Sequence, residues 1–339
     1  MKLIRTQDAV GEVLCHDITQ IIKGVTKDAV FRKGHVIKEE DIPVLLSVGK
    51  EHIYVWECDE TMLHENDAAE VLRKICQGDH MHPTAVKEGK IELIADIDGL
   101  LKINTAKMDE INALGEIMIA SRHGNFPVQK GDKLCGTRVI PLVIKKEKME
   151  MAQKAAGDQP LFQILPYRQK TVGIVTTGSE VYKHRIEDTF TPVVIAKVQE
   201  YGAKIGGHEI CDDSHEMITG AIKKLLLEGC DMILCTGGMR VYPDDRTPLA
   251  IKNTGAEVVT YGAPVLPGAM MMVAYYDGDI PIIGLPGCVM YAKRTVFDLL
   301  LPRIMAGEKI CAEDITRMGE GGLCLSCPVC HFPNCGFGK

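Results

Sequence analysis

Four cysteines near the end of the sequence have the spacing of a metal-binding segment. Cys324, Cys327, Cys330 and Cys335 are separated by two, two and four residues. Two-residue gaps let neighbouring thiolates converge, so four cysteines in this pattern suit a tetrahedral Zn²⁺ ion or an iron–sulfur cluster. The spacing leaves both metals open. The remaining cysteines of the thirteen are scattered singly along the chain and are expected to be reduced thiols.

A second group of candidate residues follows four strand-like runs in the second half of the sequence. In open parallel sheets ligands bind beyond the carboxyl ends of the strands. Glycines there let backbone amides approach an anion, and an adjoining helix adds the positive end of its dipole. One such turn alone is most simply a tight connection, but four at one edge predict a site for a phosphate-bearing ligand. They are Thr176-Thr177-Gly178-Ser179-Glu180, Cys211-Asp212-Asp213-Ser214, Thr236-Gly237-Gly238-Met239 and Gly284-Leu285-Pro286-Gly287.

Acidic residues lie close to these turns in the sequence. Asp188 precedes Thr189, and Asp244 and Asp245 precede Arg246. Carboxylates beside a phosphate site commonly hold Mg²⁺, which prefers hard oxygen ligands. The alternative is that Asp188 and Asp245 only cap the helices that follow them. The sequence contains no Walker loop and no Gly-x-Gly-x-x-Gly after a strand, which disfavours a P-loop NTPase or a classical dinucleotide fold.

The elements that would position these residues alternate regularly. Strand-like runs at residues 171–176, 205–211, 232–236 and 281–285 are separated by helical patterns, which predicts parallel βαβ units. One helix is predicted to have Thr191 as its N-cap and to end at Gly202, and another to start with a capping box of Asp213 and Glu216. The run 232–235 is apolar throughout and is predicted to be a central strand. The three methionines 270–272 are interpreted as core residues.

The first half of the sequence is less regular. Residues 9–14 alternate as a strand would, a short helix is predicted between residues 38 and 49, and a longer one within 61–80. The runs 91–95 and 100–103 flank a turn and predict a hairpin in a β-rich module that extends to about residue 145. The charged stretch 145–154 is a linker or an exposed helix turn. We therefore predict four segments: small mixed module 1–60, helix plus β-rich module 61–160, α/β domain 161–310 and Cys-rich tail 311–339.

Composition restricts the partners. The formal net charge is −7 and no long basic run is present, which disfavours a nucleic-acid partner. No stretch has the apolar length of a membrane span, and the first residues lack the apolar core of a secretory signal. We expect a cytoplasmic protein without a membrane partner. The histidines 16, 35, 52, 64, 80, 82 and 123 show no ligand spacing and are interpreted as surface or core residues.

The ordered series of turns and acids resembles the molybdopterin-binding domain of MoeA- and MogA-type molybdenum cofactor biosynthesis proteins over about 145 residues. That resemblance implies a three-layer α/β fold with a mostly parallel sheet, and molybdopterin or adenylylated molybdopterin as ligand. It further implies Mg²⁺ and molybdate as reaction partners and, by family analogy, a homo-oligomer. Carried over by position, the ligand-binding residues are Thr177, Gly178, Ser179, Thr189, Asp212, Thr236, Gly237, Gly238, Thr247, Pro286 and Gly287, and the catalytic or metal-binding carboxylates are Glu180, Asp188, Asp244 and Asp245.

The sequence departs from the family at two positions. Arg240 stands where the family commonly has Ser, and Cys288 follows Gly287 where molybdenum-inserting members usually have Asn. Three hypotheses stay open: a molybdenumtransferase-like enzyme, a carrier that delivers the cofactor to a molybdoenzyme, and a nucleotide pyrophosphatase. Loss of turnover with retained ligand affinity after Asp245→Asn would distinguish the enzyme from the carrier.

Overall fold

The computed structural model describes residues 1–22, 26–55, 60–240 and 245–339. The chain forms two compact units. Unit 1 comprises residues 1–96, 103–122 and 131–163, and unit 2 comprises 97–102, 123–130 and 164–339. Within the described ranges, no helix has the length and apolar character needed to cross a membrane.

The strands, in chain order, are β1 (Lys2–Arg5), β2 (Ile18–Ile22), β3 (Thr26–Phe31), β4 (His52–Val55), β5 (Met62–His64), β6 (Met81–Pro83), β7 (Lys90–Ala95), β8 (Gly99–Ile103), β9 (Ile117–Ser121), β10 (Phe126–Val128), β11 (Lys133–Val139), β12 (Val143–Lys145), β13 (Phe162–Pro166), β14 (Thr171–Thr177), β15 (Lys204–Cys211), β16 (Met232–Thr236), β17 (Glu257–Tyr261), β18 (Met272–Tyr276) and β19 (Ile280–Leu285). The α-helices are α1 (Ile42–Ser47), α2 (Glu65–Cys76), α3 (Thr105–Asn112), α4 (Lys146–Ala156), α5 (Ser179–Tyr182), α6 (Thr191–Gln199), α7 (His215–Leu227), α8 (Thr247–Asn253), α9 (Val296–Met305) and α10 (Ala312–Thr316).

Unit 1 differs from the sequence-based expectation at three places. Residues 9–14 form no strand, because the chain leaves a short 3-10 helix at Thr6–Asp8 and makes only isolated bridges at Val13 and Leu14. The β-rich module contains α3, whose first turn is capped by the Asn104 side chain. The charged stretch forms α4 over eleven residues and buries three apolar side chains at helical spacing, Met149, Ala152 and Ala156.

The predicted hairpin between β7 and β8 was wrong in its pairing, although both strands exist. β7 pairs with β6 and β11, whereas β8 pairs with β10 and β13. Gly99 at the start of β8 explains the close approach to β13, because a Cβ atom there would lie 2.6 Å from the Leu165 carbonyl oxygen. A glycine inside a strand can thus allow a neighbouring strand to come very close. The residues around Gly99 in the sequence do not show that this neighbour is β13.

The main sheet of unit 2 has the strand order β15-β14-β16-β19-β18-β17. The first four strands are parallel, and β18 runs antiparallel to its neighbours β19 and β17. This confirms the mostly parallel α/β prediction and the central place of β16, all five residues of which are buried. β17 and β18 were not predicted from the sequence.

Helices cover both faces of this sheet and make three layers. One core cluster joins the sheet to α6 and α9, including Val194, Val198, Leu300 and Ile304. The other joins it to α7 and α8, including Ile218, Ile222, Leu225 and Ile251. Met272, the first residue of β18, and Met271 just before it are fully buried in the two different clusters. The interpretation of the methionines as core residues is therefore confirmed for these two.

The beginnings of two helices differ from the predicted caps. α6 starts at Thr191, and its N-cap position is held by Phe190 instead of Thr191, because Asp188 accepts hydrogen bonds from the amides of both residues. α7 is capped by Ser214, whose hydroxyl accepts a bond from the Met217 amide. The predicted capping box of Asp213 and Glu216 was therefore wrong.

Candidate functional site

The carboxyl ends of the parallel strands meet at one edge of the unit 2 sheet. Thr176 lies opposite Thr236, Thr177 opposite Cys211, and Thr236 opposite Leu285. Residues from four separate turns of the sequence thus come together, as the parallel arrangement requires. We call this region the strand-end site.

The turn after β16 is the most tightly constrained part of the strand-end site. Gly237 and Gly238 have φ angles of +85° and +55°, in the region that L-residues rarely occupy. A Cβ atom on Gly237 would lie 2.4 Å from the Thr177 carbonyl oxygen, and one on Gly238 would lie 2.8 Å from the Thr247 hydroxyl. Only glycine fits at these two positions. The absence of side chains lets the backbone of the turn lie close to Thr177 and Thr247.

Threonine hydroxyls fasten this turn to its neighbours. The Thr177 hydroxyl donates to the Thr236 carbonyl oxygen at 3.0 Å, which joins β14 to the end of β16. The Thr247 hydroxyl, at the start of α8, donates to the Gly237 carbonyl oxygen at 2.9 Å. The two hydroxyl oxygens are 3.2 Å apart. The turn is therefore fixed by hydrogen bonds before any ligand arrives.

The Thr236 hydroxyl is the exception in this network. Thr236 is fully buried, and its side-chain oxygen has no hydrogen-bond partner in the part of the chain that the structure describes. A buried hydroxyl without a partner costs about 1–3 kcal/mol. Such a cost at the end of a central strand is typical of a group whose partner is a ligand or a bound water.

Asp188 lies at the same edge and has two functions visible in the structure. Its Oδ1 accepts hydrogen bonds from the Phe190 and Thr191 amides, so it caps α6. Its Oδ2 accepts a bond of 3.2 Å from the Thr176 hydroxyl. Burial raises the pKa of this carboxyl, but the hydrogen bonds outweigh it and hold the pKa below its usual value. Asp188 therefore does cap the helix that follows it, as one of the two hypotheses from the sequence predicted. Its carboxyl group stays ionised at neutral pH.

His208 was missed by the sequence analysis. Its Nε2 lies 2.9 Å from the Thr176 hydroxyl, 3.3 Å from the Thr191 hydroxyl and 3.6 Å from Asp188 Oδ2. The register places His208 opposite Ile174 on the neighbouring strand. The alternation of β15 could have indicated that this histidine shares the sheet face of Thr176.

The turn after β15 supplies carboxylates to the site. Asp213 accepts a bond of 2.9 Å from the Ser179 amide, so this amide is occupied by the protein's own carboxylate. Asp212 accepts from the Asp213 amide and lies 3.5 Å from the Lys183 ammonium group. A phosphate that reached Ser179 would compete with Asp213 for the amide.

The remaining predicted residues lie at the rim or outside the described chain. Glu180 is exposed, with its carboxylate above Gly178, and the Thr189 hydroxyl contacts the Met290 sulfur at 3.2 Å. Gly287 is exposed at the start of a short 3-10 helix, Gly287–Met290, and is preceded by the buried Pro286. Asp245 is partly buried just before α8. Asp244 lies outside the described residues.

The segment that forms the strand-end site matches a known domain family. Residues 173–306 match the family described as probable molybdopterin binding domain. The matched segment runs from β14 into α9 and contains all the strand-end turns. Residues 173–306 are therefore similar to the molybdopterin-binding domain family. Residues 3–57 match a separate domain family of unknown function.

Several known proteins resemble parts of the chain. The molybdopterin molybdenumtransferase of Staphylococcus epidermidis is 28% identical over 160 residues, which cover 44% of this chain and 38% of that protein. A CinA-like protein of a Mycobacterium species is 35% identical over 88 residues, 26% of this chain and 21% of that one. The crystal structure of the molybdopterin biosynthesis enzyme MoaB from Thermus thermophilus is similar with a TM-score of 0.34 at 21% identity, over 41% of this chain and 98% of that one. The chain thus spans well under half the length of the curated relatives it matches.

The cysteines of the tail lie in the same unit as the molybdopterin-binding domain. Cys327 and Cys330 are exposed, and Cys324 and Cys335 are partly buried. Across residues 1–22, 26–55, 60–240 and 245–339, no group of three or more His, Cys, Asp or Glu side chains is arranged to hold a metal ion. Cys288 is also partly buried, and burial raises the pKa of its thiol.

Proposed function

We propose that the strand-end site binds molybdopterin and that the chain acts in molybdenum cofactor biosynthesis as a molybdenumtransferase-like enzyme. The turn at Gly237 and Gly238 carries the proposal, because it brings backbone so close to Thr177 and Thr247 that no side chain fits. Backbone amides in such a turn are the usual partners of a ligand phosphate. The family match of the segment supports a pterin phosphate as the anion.

In this proposal the ligand contacts are divided among the four turns. The phosphate lies against the backbone of Gly178, Gly237 and Gly238, and the turn at Pro286 and Gly287 covers it from the β19 side. The Thr236 hydroxyl gains the partner that it lacks within the described residues. The other proposed ligand-contacting residues are Ser179, Thr189, Asp212 and Thr247.

The carboxylates are proposed to hold Mg²⁺ near the phosphate. Asp188 already accepts three hydrogen bonds, which suits it to positioning more than to metal binding. Asp245 and Glu180 carry the hard carboxylate oxygens that Mg²⁺ prefers, and a bound Mg²⁺ usually keeps several of its waters. Asp244 is proposed as a further ligand on sequence grounds. A bound Mg²⁺ would neutralise phosphate charge. The bound ligand would be molybdopterin, free or adenylylated, and molybdate would be the second reactant.

Equilibrium binding of molybdopterin to anaerobically purified protein tests the ligand. AMP and GTP serve as competitors, and each titration is run with and without Mg²⁺. Selective binding of the pterin supports the proposal, whereas equal binding of AMP or GTP would favour the nucleotide pyrophosphatase alternative. Gly238→Ala is expected to weaken binding more than tenfold, because its Cβ would meet the Thr247 hydroxyl. The control is Gly255→Ala, where φ is +92° and no atom lies within 4 Å of the added Cβ.

Turnover distinguishes an enzyme from a carrier. We expect Asp245→Asn to abolish molybdate-dependent cofactor formation while molybdopterin affinity changes less than about tenfold, or about 1.4 kcal/mol. The control is Asp277→Asn, which changes an exposed carboxylate in the turn between β18 and β19 at the opposite edge of the sheet. Binding without any turnover in the unmodified protein would support the carrier. Full activity of Asp245→Asn would remove this residue from the mechanism.

A further inference from the structure

The four cysteines of the tail line one cavity in unit 2. Its volume is about 630 Å³. The same walls include Tyr291, Ala292, Lys293 and Arg294, which directly follow the Gly287–Met290 turn of the strand-end site. The cysteines among the lining residues are Cys324, Cys327, Cys330 and Cys335. The fold therefore brings together the four residues whose spacing suggested a metal.

The tail is held against unit 2 by backbone hydrogen bonds at both of its ends. The Leu266 amide donates to the Gly322 carbonyl oxygen at 2.8 Å, and the Cys324 amide donates back to Leu266 at 2.8 Å. The Gly338 amide donates to the Gly321 carbonyl oxygen at 2.8 Å, which closes the tail into a loop. The cysteines thus lie in a closed loop whose two ends are hydrogen-bonded to each other and to unit 2.

Two basic side chains anchor the middle of this loop. The Lys293 ammonium group donates to the Pro328 carbonyl oxygen at 3.0 Å, between the second and third cysteines. The Arg294 guanidinium lies 5.1 Å above the centre of the Phe332 ring. Their positive charge would offset the negative charge that several thiolates bring to one metal centre.

Apolar side chains form part of the cavity wall. Phe337 is buried, and Leu325, also in the wall, is 78% exposed. Ordering such a loop without a helix or strand costs conformational entropy. Metal binding commonly supplies that free energy in small Cys-rich segments.

We propose that Cys324, Cys327, Cys330 and Cys335 bind a [4Fe–4S] cluster in this cavity. Consecutive two-residue gaps between three cysteines are the spacing of four-iron clusters, with a fourth cysteine further along the chain. Single zinc sites more often place two cysteine pairs on separate loops and need sulfurs only about 2.3 Å from one ion. A cavity of about 630 Å³ bounded by all four thiols provides room for a cluster.

The thiols must move inward to bind the cluster, because they lie on the wall and the described residues contain no preformed group of three metal ligands. Both of the central cysteines are exposed, so this movement does not disturb the core. The cluster site is separate from the proposed pterin function, and its test does not depend on any activity.

The experiment uses the full chain, purified without oxygen and reconstituted with ferric iron and sulfide under a thiol reductant. We expect about four irons and four acid-labile sulfides per chain. Visible absorption from sulfide-to-iron charge transfer and an electron paramagnetic resonance signal after dithionite reduction should accompany them. One equivalent of zinc in place of iron and sulfide, or only traces of bound metal, would overturn the proposal.

A double variant, Cys327→Ala with Cys330→Ala, tests the ligands. Both residues are exposed, so their truncation should leave the far-UV circular dichroism of the cluster-free protein unchanged. We expect the variant to lose nearly all iron and sulfide. The matched control is Cys311→Ala, an exposed thiol at the start of α10 that is not part of the cavity wall. Equal iron content in the double variant and the control would contradict the assignment.

Discussion

Gly237→Ala offers a direct measure of how tightly the turn after β16 is constrained. Gly237 has a φ of +85°, and a Cβ there would lie 2.4 Å from the Thr177 carbonyl oxygen and 2.8 Å from its hydroxyl. Gly202, between α6 and β15, is the matched control. It has a φ of +78°, and no atom lies within 4 Å of an added Cβ. The two variants therefore share the backbone strain and differ in the steric contact.

The magnitudes follow from these two contributions. An L-residue in the left-handed region costs about 1–2 kcal/mol, and both variants incur this cost. Forcing an extra carbon into a packed site costs about 1–3 kcal/mol more, and only Gly237→Ala incurs it. The lower entropy of the unfolded chain offsets about 0.4–1 kcal/mol in both variants. We expect Gly237→Ala to destabilise the protein by about 1–3 kcal/mol more than Gly202→Ala.

Urea unfolding followed by far-UV circular dichroism measures this difference. Molybdopterin titration of the same samples measures its effect on the site. We expect Gly202→Ala to bind the ligand like the unmodified protein and Gly237→Ala to bind it much more weakly. Equal stability of the two variants would refute the argument that the turn excludes a side chain.

Three further variants test other parts of unit 2. Lys197→Met should destabilise the protein by about 3 kcal/mol in urea unfolding, because Asp298, 2% exposed and 2.6 Å from the ammonium group, would lose this ion pair and keep its ion pair with Arg294. Asp188→Ala should cost about 0.5–2 kcal/mol at pH 7 through the lost cap. The pKa of Asp188 is lowered on folding, so its contribution is present above the unfolded pKa and is lost as the pH falls through the folded one. Both Asp188→Ala and Asp188→Asn should therefore flatten the acid limb of a stability–pH curve, and an unchanged limb would contradict this. Thr236→Val should leave stability equal or raise it by about 1 kcal/mol, because it removes an unpartnered hydroxyl, while molybdopterin affinity falls; a marked loss of stability would show that the hydroxyl is satisfied within the protein.

The parallel core was predictable because its signals are local. β14, β15, β16 and β19 were each predicted to within a residue of their ends, since buried strands between helices are continuous apolar runs. β17 and β18 escaped prediction. β18 begins at Met272, and methionine carries no strand preference of its own. β18 pairs with β19, the next strand along the chain, across a turn at residues 277–279 that the sequence analysis did not identify.

The wrong hairpin has a similar cause. The residues between β7 and β8 have the composition of a turn, but the Asp98 carboxylate accepts a hydrogen bond from the distant Lys130 amide at 2.8 Å. The turn signal reports a change of direction and does not identify the partner strand. Strand pairing depends on contacts far apart in sequence, which a single sequence does not specify.

The sequence predicted the glycines of the strand-end site but not the hydrogen-bond network between its side chains. Gly237 and Gly238 could be recognised because only a special backbone conformation requires two successive glycines after a buried strand. The hydrogen-bond partners of His208 and Asp213 were not identified, because Thr176 lies in the neighbouring strand β14 and Ser179 just after it. Hydrogen bonds across parallel strands depend on register, which becomes known only when the sheet is assembled.

The distribution of hydrogen bonds at this edge also separates two kinds of residue. Thr177 and Thr247 are already bonded to the turn that they support, so their loss should loosen the turn and lower both stability and ligand affinity. Thr236 is bonded to nothing through its side chain within the described residues, so its loss should weaken binding without lowering stability. Because all three residues belong to the strand-end site, a change in ligand affinity alone would not distinguish these roles. Comparing the change in ligand affinity with the change in the free energy of unfolding distinguishes the two roles. This comparison identifies which hydroxyl faces the ligand.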